Sequence, residues 1–185
     1  MAGRVCPWWL GYLLASPIRR WMQDPAKLLA PYVHEGMTVF EPGPGMGFFT
    51  VELARLVGHT GRVIAVDLQP KMIIGLERRV LRAGMGKRLE ARVTTPESLG
   101  VHDFAGQVDF TLMFAVVHEL PSVDNFFAEV AEVSKPGAAV LLVEPAGHVK
   151  PAAFEAELQA AAQAGFEVVD RPSIRRSHAA LLKKR

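Results

Sequence analysis

Glu41, Gly43, Gly45, Gly47 and Asp67 are the residues whose types and spacing can do chemistry. They belong to the run Val39-Phe40-Glu41-Pro42-Gly43-Pro44-Gly45-Met46-Gly47-Phe48-Phe49-Thr50 and to the acid that closes Ile64-Ala65-Val66-Asp67. Glycines at alternate positions let the backbone turn with positive φ and admit a ligand where a Cβ would stand in the way. A loop built for a pyrophosphate has the form G-x-G-x-x-G, and here Phe48 occupies the last glycine position. Glu41, just ahead of the glycines, repels a pyrophosphate and can accept hydrogen bonds from an ammonium group, directly or through water. Asp67 offers two acceptor oxygens at a strand end, which suits the paired hydroxyls of a ribose. The ligand expected from these residues has a cationic end and a cis-diol.

The elements that must position these residues follow from the pattern of apolar runs. Strands are predicted at 37–41, 62–67, 89–93, 108–114 and 138–144, the last opening after Lys135-Pro136-Gly137. Helices are predicted at 48–57, at 70–83 with Gly84 behind it, and at 123–133. Runs such as Val140-Leu141-Leu142-Val143 have no polar face, as expected of strands covered on both sides, and right-handed crossovers then produce a doubly wound, mainly parallel sheet. After a helix at 152–164 ended by Gly165, strands at 166–169 and 178–182 are joined by too few residues for a crossover helix. They must therefore be antiparallel. The expected architecture is α/β, a seven-stranded sheet with an antiparallel C-terminal hairpin. Glu41, Asp67, Phe114 and Glu144 all fall at carboxyl ends of strands, where open sheets of this kind bind ligands, so a single crevice is expected there.

Composition narrows the class. A chain of 185 residues, half of them apolar, suits one compact domain. A net charge of +2 makes no electrostatic case for nucleic acid, and Arg175, Arg176, Lys183, Lys184 and Arg185 read as a solvated tail. The single cysteine, Cys6, excludes an intrachain disulfide and a thiolate metal cluster; the histidines show no ligand spacing; no metal is expected and the setting is expected to be cytoplasmic. The apolar stretch 7–15 is broken by Pro7 and followed by Pro17-Ile18-Arg19-Arg20, a poor signal core and too short to span a bilayer.

The acid followed by G-x-G-x-G at Glu41-Pro42-Gly43-Pro44-Gly45-Met46-Gly47, with Asp67 placed 20 residues past Gly47, resembles the class I S-adenosylmethionine-dependent methyltransferases. The terminal hairpin is a second point of resemblance, and the similarity covers about residues 32–184. It implies S-adenosylmethionine as cofactor, with the loop residues Glu41, Pro42, Gly43, Gly45 and Gly47 around its amino-acid end and Asp67 on the ribose. Leu68 is then placed on the adenine face, and Thr95-Pro96-Glu97 follow the third strand beside the adenine. Thr95 stands where the family commonly carries an acid for the adenine amino group; its hydroxyl can accept the same bond. Met113 and Phe114 are implied as further cofactor contacts. The segment Asp109-Phe110-Thr111-Leu112-Met113-Phe114-Ala115-Val116-Val117-His118-Glu119 resembles the small-molecule branch, including quinone and arsenite methyltransferases. It lacks the [DN]-P-P-[FY] signature of enzymes that methylate amino groups on bases or glutamine, so no nucleic-acid partner is expected.

His118 and Glu119, a potential base and an acid beside the crevice, invite a catalytic assignment, but just before Leu120-Pro121 they also suit fixing a turn by hydrogen bonding the backbone. Glu144, which closes the fifth strand, is the better polar candidate, with loop anchoring as its alternative, so the candidate catalytic residues are His118 and Glu144. The acceptor implied is a small molecule: a thiol, a phenol or quinol, a carbon centre or a metalloid. Trp8, Trp9 and Tyr12 concentrate aromatic surface in residues 1–31, expected to form an N-terminal helical lid or extension ahead of a cofactor-binding domain at 32–185. Core packing is an equal reading, as is a peripheral membrane contact that joins the tryptophans to Arg4, Arg19 and Arg20. Two readings of other classes stay open. A nicotinamide-dependent oxidoreductase is disfavoured by Phe48 and by the lack of a lysine four residues after Tyr12 or Tyr32. A non-catalytic cofactor-binding or partner-binding domain is the other.

Overall fold

The computed structural model of the chain describes residues 23–185. Trp8, Trp9 and Tyr12, and most of the proposed N-terminal lid, lie outside the described residues. The chain divides into two compact units, one ending at Thr95 and the other formed by Pro96–Arg185.

In the first unit, helix α1 (Pro25–Leu29) begins where Asp24 accepts a hydrogen bond from the Ala26 amide at 3.1 Å and Pro25 supplies a preset φ. Strand β1 (Thr38–Pro42) is followed by helix α2 (Thr50–Leu56), strand β2 (Arg62–Asp67), helix α3 (Pro70–Arg82) and strand β3 (Leu89–Val93). β1 and β2 run parallel with Val39 opposite Val63, and β2 and β3 run parallel with Val63 opposite Leu89. The buried residues of α3, Met72, Ile73, Leu76 and Val80, share one helical face. Ile73, Leu76 and Val80 follow at steps of three and four with Met72 beside them, so the helix lies flat and turns Lys71, Glu77 and Arg78 away from the core.

In the second unit, strand β4 (Val108–Phe114) leads through a single 3-10 turn (Val117–Glu119) into helix α4 (Val123–Val133), then strand β5 (Ser134–Pro145), helix α5 (Pro151–Gln163), strand β6 (Phe166–Asp170) and strand β7 (Ser177–Lys184). β4 and β5 are parallel, whereas β7 is antiparallel to both β5 and β6. β5 starts at Ser134 rather than at 138. Val108 pairs with Ser134 and Phe110 with Ala139, so two steps on β4 face five on β5. Lys135-Pro136-Gly137, read from sequence as a loop, is the bulged excess; Gly137 has φ +77°, and Pro136, which cannot donate to a ladder, lies in the bulge.

The strand order is β3-β2-β1-β4-β5-β7-β6, a seven-stranded, mainly parallel sheet closed by the antiparallel hairpin. The central strands are apolar throughout because both faces are covered: Val63, Ile64, Ala65, Val140, Leu141, Leu142 and Val143 have no exposed surface.

Candidate functional site

The glycine loop leaves β1 with its geometry set by three left-handed residues, Gly43, Gly45 and Gly47. The Gly43 amide donates to the Val66 carbonyl at 2.8 Å, fastening the loop to β2, and the Gly47 amide donates to Pro44 at 3.1 Å. At Gly47 a side chain would be obstructed as well as strained, since a Cβ would stand 2.7 Å from Leu76 Cδ1 of α3. Gly45 faces open space: among the described residues nothing lies within 4 Å of where its Cβ would be, which leaves its backbone open to a ligand.

Glu41 sits beneath this loop, only 4% exposed. Thr50 Oγ1, in the first turn of α2, donates to Glu41 Oε2 at 2.5 Å, and that is its one hydrogen bond among the described residues. Loss of water pushes the carboxyl up to about 7, the Thr50 bond opposing the shift without cancelling it. A buried acid with so few donors keeps acceptor capacity, which the ammonium end of S-adenosylmethionine would fit. Asp67 closes β2, half-buried; its Oδ1 accepts from the Gln69 amide at 2.9 Å, which fixes the carboxylate at the strand end. The Thr94 amide donates to the Asp67 carbonyl at 3.0 Å and ties the exit of β3 to that of β2. Leu68 is half-buried, and Thr95, Pro96 and Glu97 are exposed. The open backbone at Gly45, the under-satisfied Glu41 and the fixed Asp67 together fit an S-adenosylmethionine ligand.

In the second unit the chemistry gathers at the carboxyl ends of β4 and β5. Glu144, penultimate in β5, has no exposed surface. Its Oε1 accepts from the amides of Val116 at 3.2 Å and Val117 at 2.7 Å, and its Oε2 lies 2.5 Å from His118 Nδ1. Ala115, just after β4, holds φ +57°, a left-handed conformation costly for a residue with a Cβ. That turn aims two successive N–H groups at one carboxylate, an anion-binding nest made for an internal ligand. The hydrogen bond that Glu144 accepts from His118 raises the imidazole pKa above its usual value, against the opposing effect of partial burial. With Nδ1 engaged, the reactive nitrogen of His118 is Nε2, 4.0 Å from Glu119 Oε1 and beyond hydrogen-bond reach of it. Glu144 thus anchors the turn and orients the half-buried imidazole at once. Phe114 is half-buried at the end of β4, and Met113 is fully buried within it.

Three residues escaped the sequence reading. Thr50 carried a signal, a hydroxyl at the start of the helix that follows the glycine loop. Glu157 on α5 is buried, and His148 sets its ring edge-on to His118 at 6.1 Å; neither has a motif around it. Among the described residues no group of three or more His, Cys, Asp or Glu could hold a metal ion, and no helix is long and apolar enough to cross a membrane.

Comparison with known proteins agrees with this geometry. Residues 40–142, more than half of the chain, match the family described as "Methyltransferase domain". The crystal structure of a SAM-dependent methyltransferase from Aquifex aeolicus superposes with a TM-score of 0.85 at 26% identity, over 97% of this chain and 98% of that one. The ubiquinone/menaquinone biosynthesis C-methyltransferase UbiE of Hydrogenovibrio crunogenus is 25% identical over 112 residues, 60% of this chain and 43% of the relative. A shorter likeness, 39% over 56 residues, joins 30% of this chain to 20% of the tRNA (adenine(57)-N(1)/adenine(58)-N(1))-methyltransferase TrmI of Methanocaldococcus jannaschii. The chain thus spans less than half the length of these two curated relatives. Loop, strand order and hairpin all agree with the matched family: the chain belongs to the class I S-adenosylmethionine-dependent methyltransferases.

Proposed function

We propose that the protein transfers a methyl group from S-adenosylmethionine to a phenol- or quinol-type small molecule, with His118 as the base that takes the acceptor's proton. The observation that carries the reading is the His118–Glu144 pair: a fully buried carboxylate, fixed by two backbone amides, holds one imidazole nitrogen at 2.5 Å and leaves the other without a hydrogen bond among the described residues. A thiolate or metalloid acceptor needs no base, whereas a neutral hydroxyl does. The similarity to ubiquinone/menaquinone biosynthesis C-methyltransferases supports the same class.

S-adenosylmethionine, when bound, supplies a methyl group already activated by the adjoining sulfonium. Glu41 binds the ammonium end, becoming fully ionised as it does so. Asp67 accepts from the ribose hydroxyls, and Leu68 and Thr95 flank the adenine, with Pro96, Glu97, Met113 and Phe114 as further contacts. Fixing donor and acceptor in line can lower such a barrier by on the order of 7–11 kcal/mol. His118 Nε2 accepts the hydroxyl proton, and Glu144 stabilises the resulting imidazolium. The single cysteine supports a reducing, cytoplasmic setting.

The test is calorimetric titration with S-adenosylmethionine, followed by methyl-transfer assays on phenols, quinols, thiols and tRNA. Saturable binding that Asp67→Ala weakens, with turnover of a phenol or quinol lost in His118→Ala, is the expected result. Turnover of tRNA alone would replace the small-molecule reading with the one that the TrmI likeness suggests. Binding without transfer to any of the four would leave a non-catalytic cofactor-binding domain.

A further inference from the structure

The two edge strands of the sheet are built differently. β6 carries a bulge, its register against β7 slipping between Val168 and Asp170, and a bulge spoils an edge for further pairing. β3 has no such device: its register with β2 is unbroken from Leu89 to Val93, and it contains neither proline nor lysine. Among the described residues β3 pairs with β2 alone. The Thr94 amide donates to the Asp67 carbonyl of β2, so Glu90 and Arg92, in step with it, also turn their backbone groups toward β2. Leu89, Ala91 and Val93 turn theirs to the open side. The Leu89 amide is engaged by the Gly86 carbonyl, whereas the Leu89 carbonyl and both backbone groups of Ala91 and Val93 have no partner among the described residues.

The side chains along this margin divide by face. Leu89 lines a groove with Ile74, Glu77, Arg78 and Leu81 of α3, so the odd-numbered residues of β3 lie on the helix side and Glu90 and Arg92 on the other. Three large apolar side chains stand open there: Leu81 is 69% exposed, Val93 52% and Ile74 47%. Together they form an apolar border beside an unpaired ladder. We propose that this edge docks a second copy of the chain, β3 pairing antiparallel with the partner's β3 about a two-fold axis at Ala91. The inference goes beyond the methyl-transfer reading and does not rest on it.

The strand is complementary to itself in that register. Leu89 falls opposite the partner's Val93, Glu90 opposite the partner's Arg92, and Ala91 opposite the partner's Ala91. The Ala91 groups exchange hydrogen bonds across the axis, and each Val93 amide reaches the carbonyl of the partner's Leu89. Glu90 and the partner's Arg92 then occupy a position between ladder bonds, where facing residues approach most closely, about 4.5 Å between Cα atoms. Within one chain Arg92 Nε already donates to Glu90 Oε1 at 3.2 Å, and a guanidinium has donors for more than one carboxylate. Two copies thus close a ring of alternating charge. An axis at Glu90 or at Arg92 would set like charges face to face, so charge selects the one register that also aligns Leu89 with the partner's Val93. On the helix side, the two α3 helices flank the axis with Ile74 and Leu81 between them.

The experiment is sedimentation-velocity ultracentrifugation of the full chain over a range of concentrations, with circular dichroism to check folding. The proteins compared are wild type, Glu90→Arg, Arg92→Glu and the exchanged double variant Glu90→Arg/Arg92→Glu. Expected in wild type is a concentration-dependent species of twice the 20.2 kDa chain mass. Each single variant sets like charges at both cross-axis pairs and should weaken the dimer roughly tenfold or more, while the double variant restores it. An equimolar mixture of the two single variants should also dimerise, because every facing pair then has opposite charge. Leu81→Lys, at a side chain that the monomer leaves exposed, tests the same interface should a charge variant fail to fold, and it too should weaken the dimer. A wild type that stays monomeric at every concentration would overturn the proposal, leaving the edge to a different chain or to none. A dimer untouched by the single variants and by Leu81→Lys would overturn it as well, by placing the interface elsewhere.

Discussion

Glu41 and Glu144 look alike in sequence: Val-Phe-Glu-Pro in one place, Leu-Val-Glu-Pro in the other, each an acid one residue from the end of an apolar strand. Both are buried. They differ in what reaches them. Glu144 accepts from two amides and an imidazole, while Glu41 accepts from one hydroxyl. A carboxylate surrounded by donors is satisfied by the scaffold, and one short of donors keeps acceptor capacity that a ligand could use. The surroundings beyond the strand end decide which: a left-handed Ala115 that turns amides inward at one site, and a glycine loop with two prolines, which have no amide to offer, at the other.

The contrast breaks most visibly on removing Glu144. Glu144→Leu leaves the Val116 and Val117 amides and His118 Nδ1 without their acceptor, and at about 1–3 kcal/mol for each orphaned group the loss of stability should reach several kcal/mol in chemical denaturation. An unchanged denaturation midpoint would show that the nest is not holding the turn.

Glu41→Gln should move stability in the opposite direction. A carboxyl whose folded pKa is about 7, against an ordinary 4.5, destabilises the fold increasingly as pH rises from 4.5 to 7 and by a constant amount above. At pH 8 the substitution should therefore stabilise the cofactor-free protein, by up to about 3 kcal/mol. It should also weaken S-adenosylmethionine binding at least tenfold, since an ionic hydrogen bond contributes more than a neutral one. Destabilisation comparable to that of Glu144→Leu would put both acids in the scaffold.

Acidity sharpens the distinction without a mutation. If the cofactor binds the ionised form of Glu41, affinity should fall about tenfold between pH 8 and pH 6, and this slope should be absent from Glu41→Gln. Calorimetry at three pH values measures it; a flat wild-type response would remove Glu41 from the ammonium contact. The smallest effect is expected from Gly45→Ala, where φ +54° and open space leave conformational strain alone, about 1 kcal/mol in thermal or chemical unfolding. Gly47→Ala, with Leu76 in the way, should cost more.

Much of this was legible in the sequence because it is local. The glycine loop, Asp67 and each strand of the sheet are set by neighbours along the chain, and the terminal hairpin by the brevity of one connection. What could not be read depends on which face of an element turns inward. Glu155 and Glu157 stand two residues apart on a helix rich in alanine and glutamate; Phe154 and Leu158 mark its inner face, but nothing in the sequence says that a carboxylate would be buried beside them. The structure pairs Glu155 with Arg171 at the surface and buries Glu157. The Lys135-Pro136-Gly137 segment was missed for another reason: its residues signal a break, and the sheet takes in that break as a bulge and resumes pairing at Ala139. For Glu144 the loop-anchoring role was foreseen as one of two alternatives; its hold on His118 was not, because only the fold brings the two side chains together.

The position of β7 has a consequence for how the protein is made. β7 is synthesised after β6 yet lies between it and β5, so β6 has no partner until residues 177–184 have left the ribosome. Throughout that interval the β5 ladder presents an open edge, and Phe166, buried in the finished fold, has no strand to shelter it. Vectorial synthesis therefore completes this half of the sheet out of order, with its inner strand added last, and a nascent chain stalled near residue 175 is the species most exposed to pairing with a neighbour.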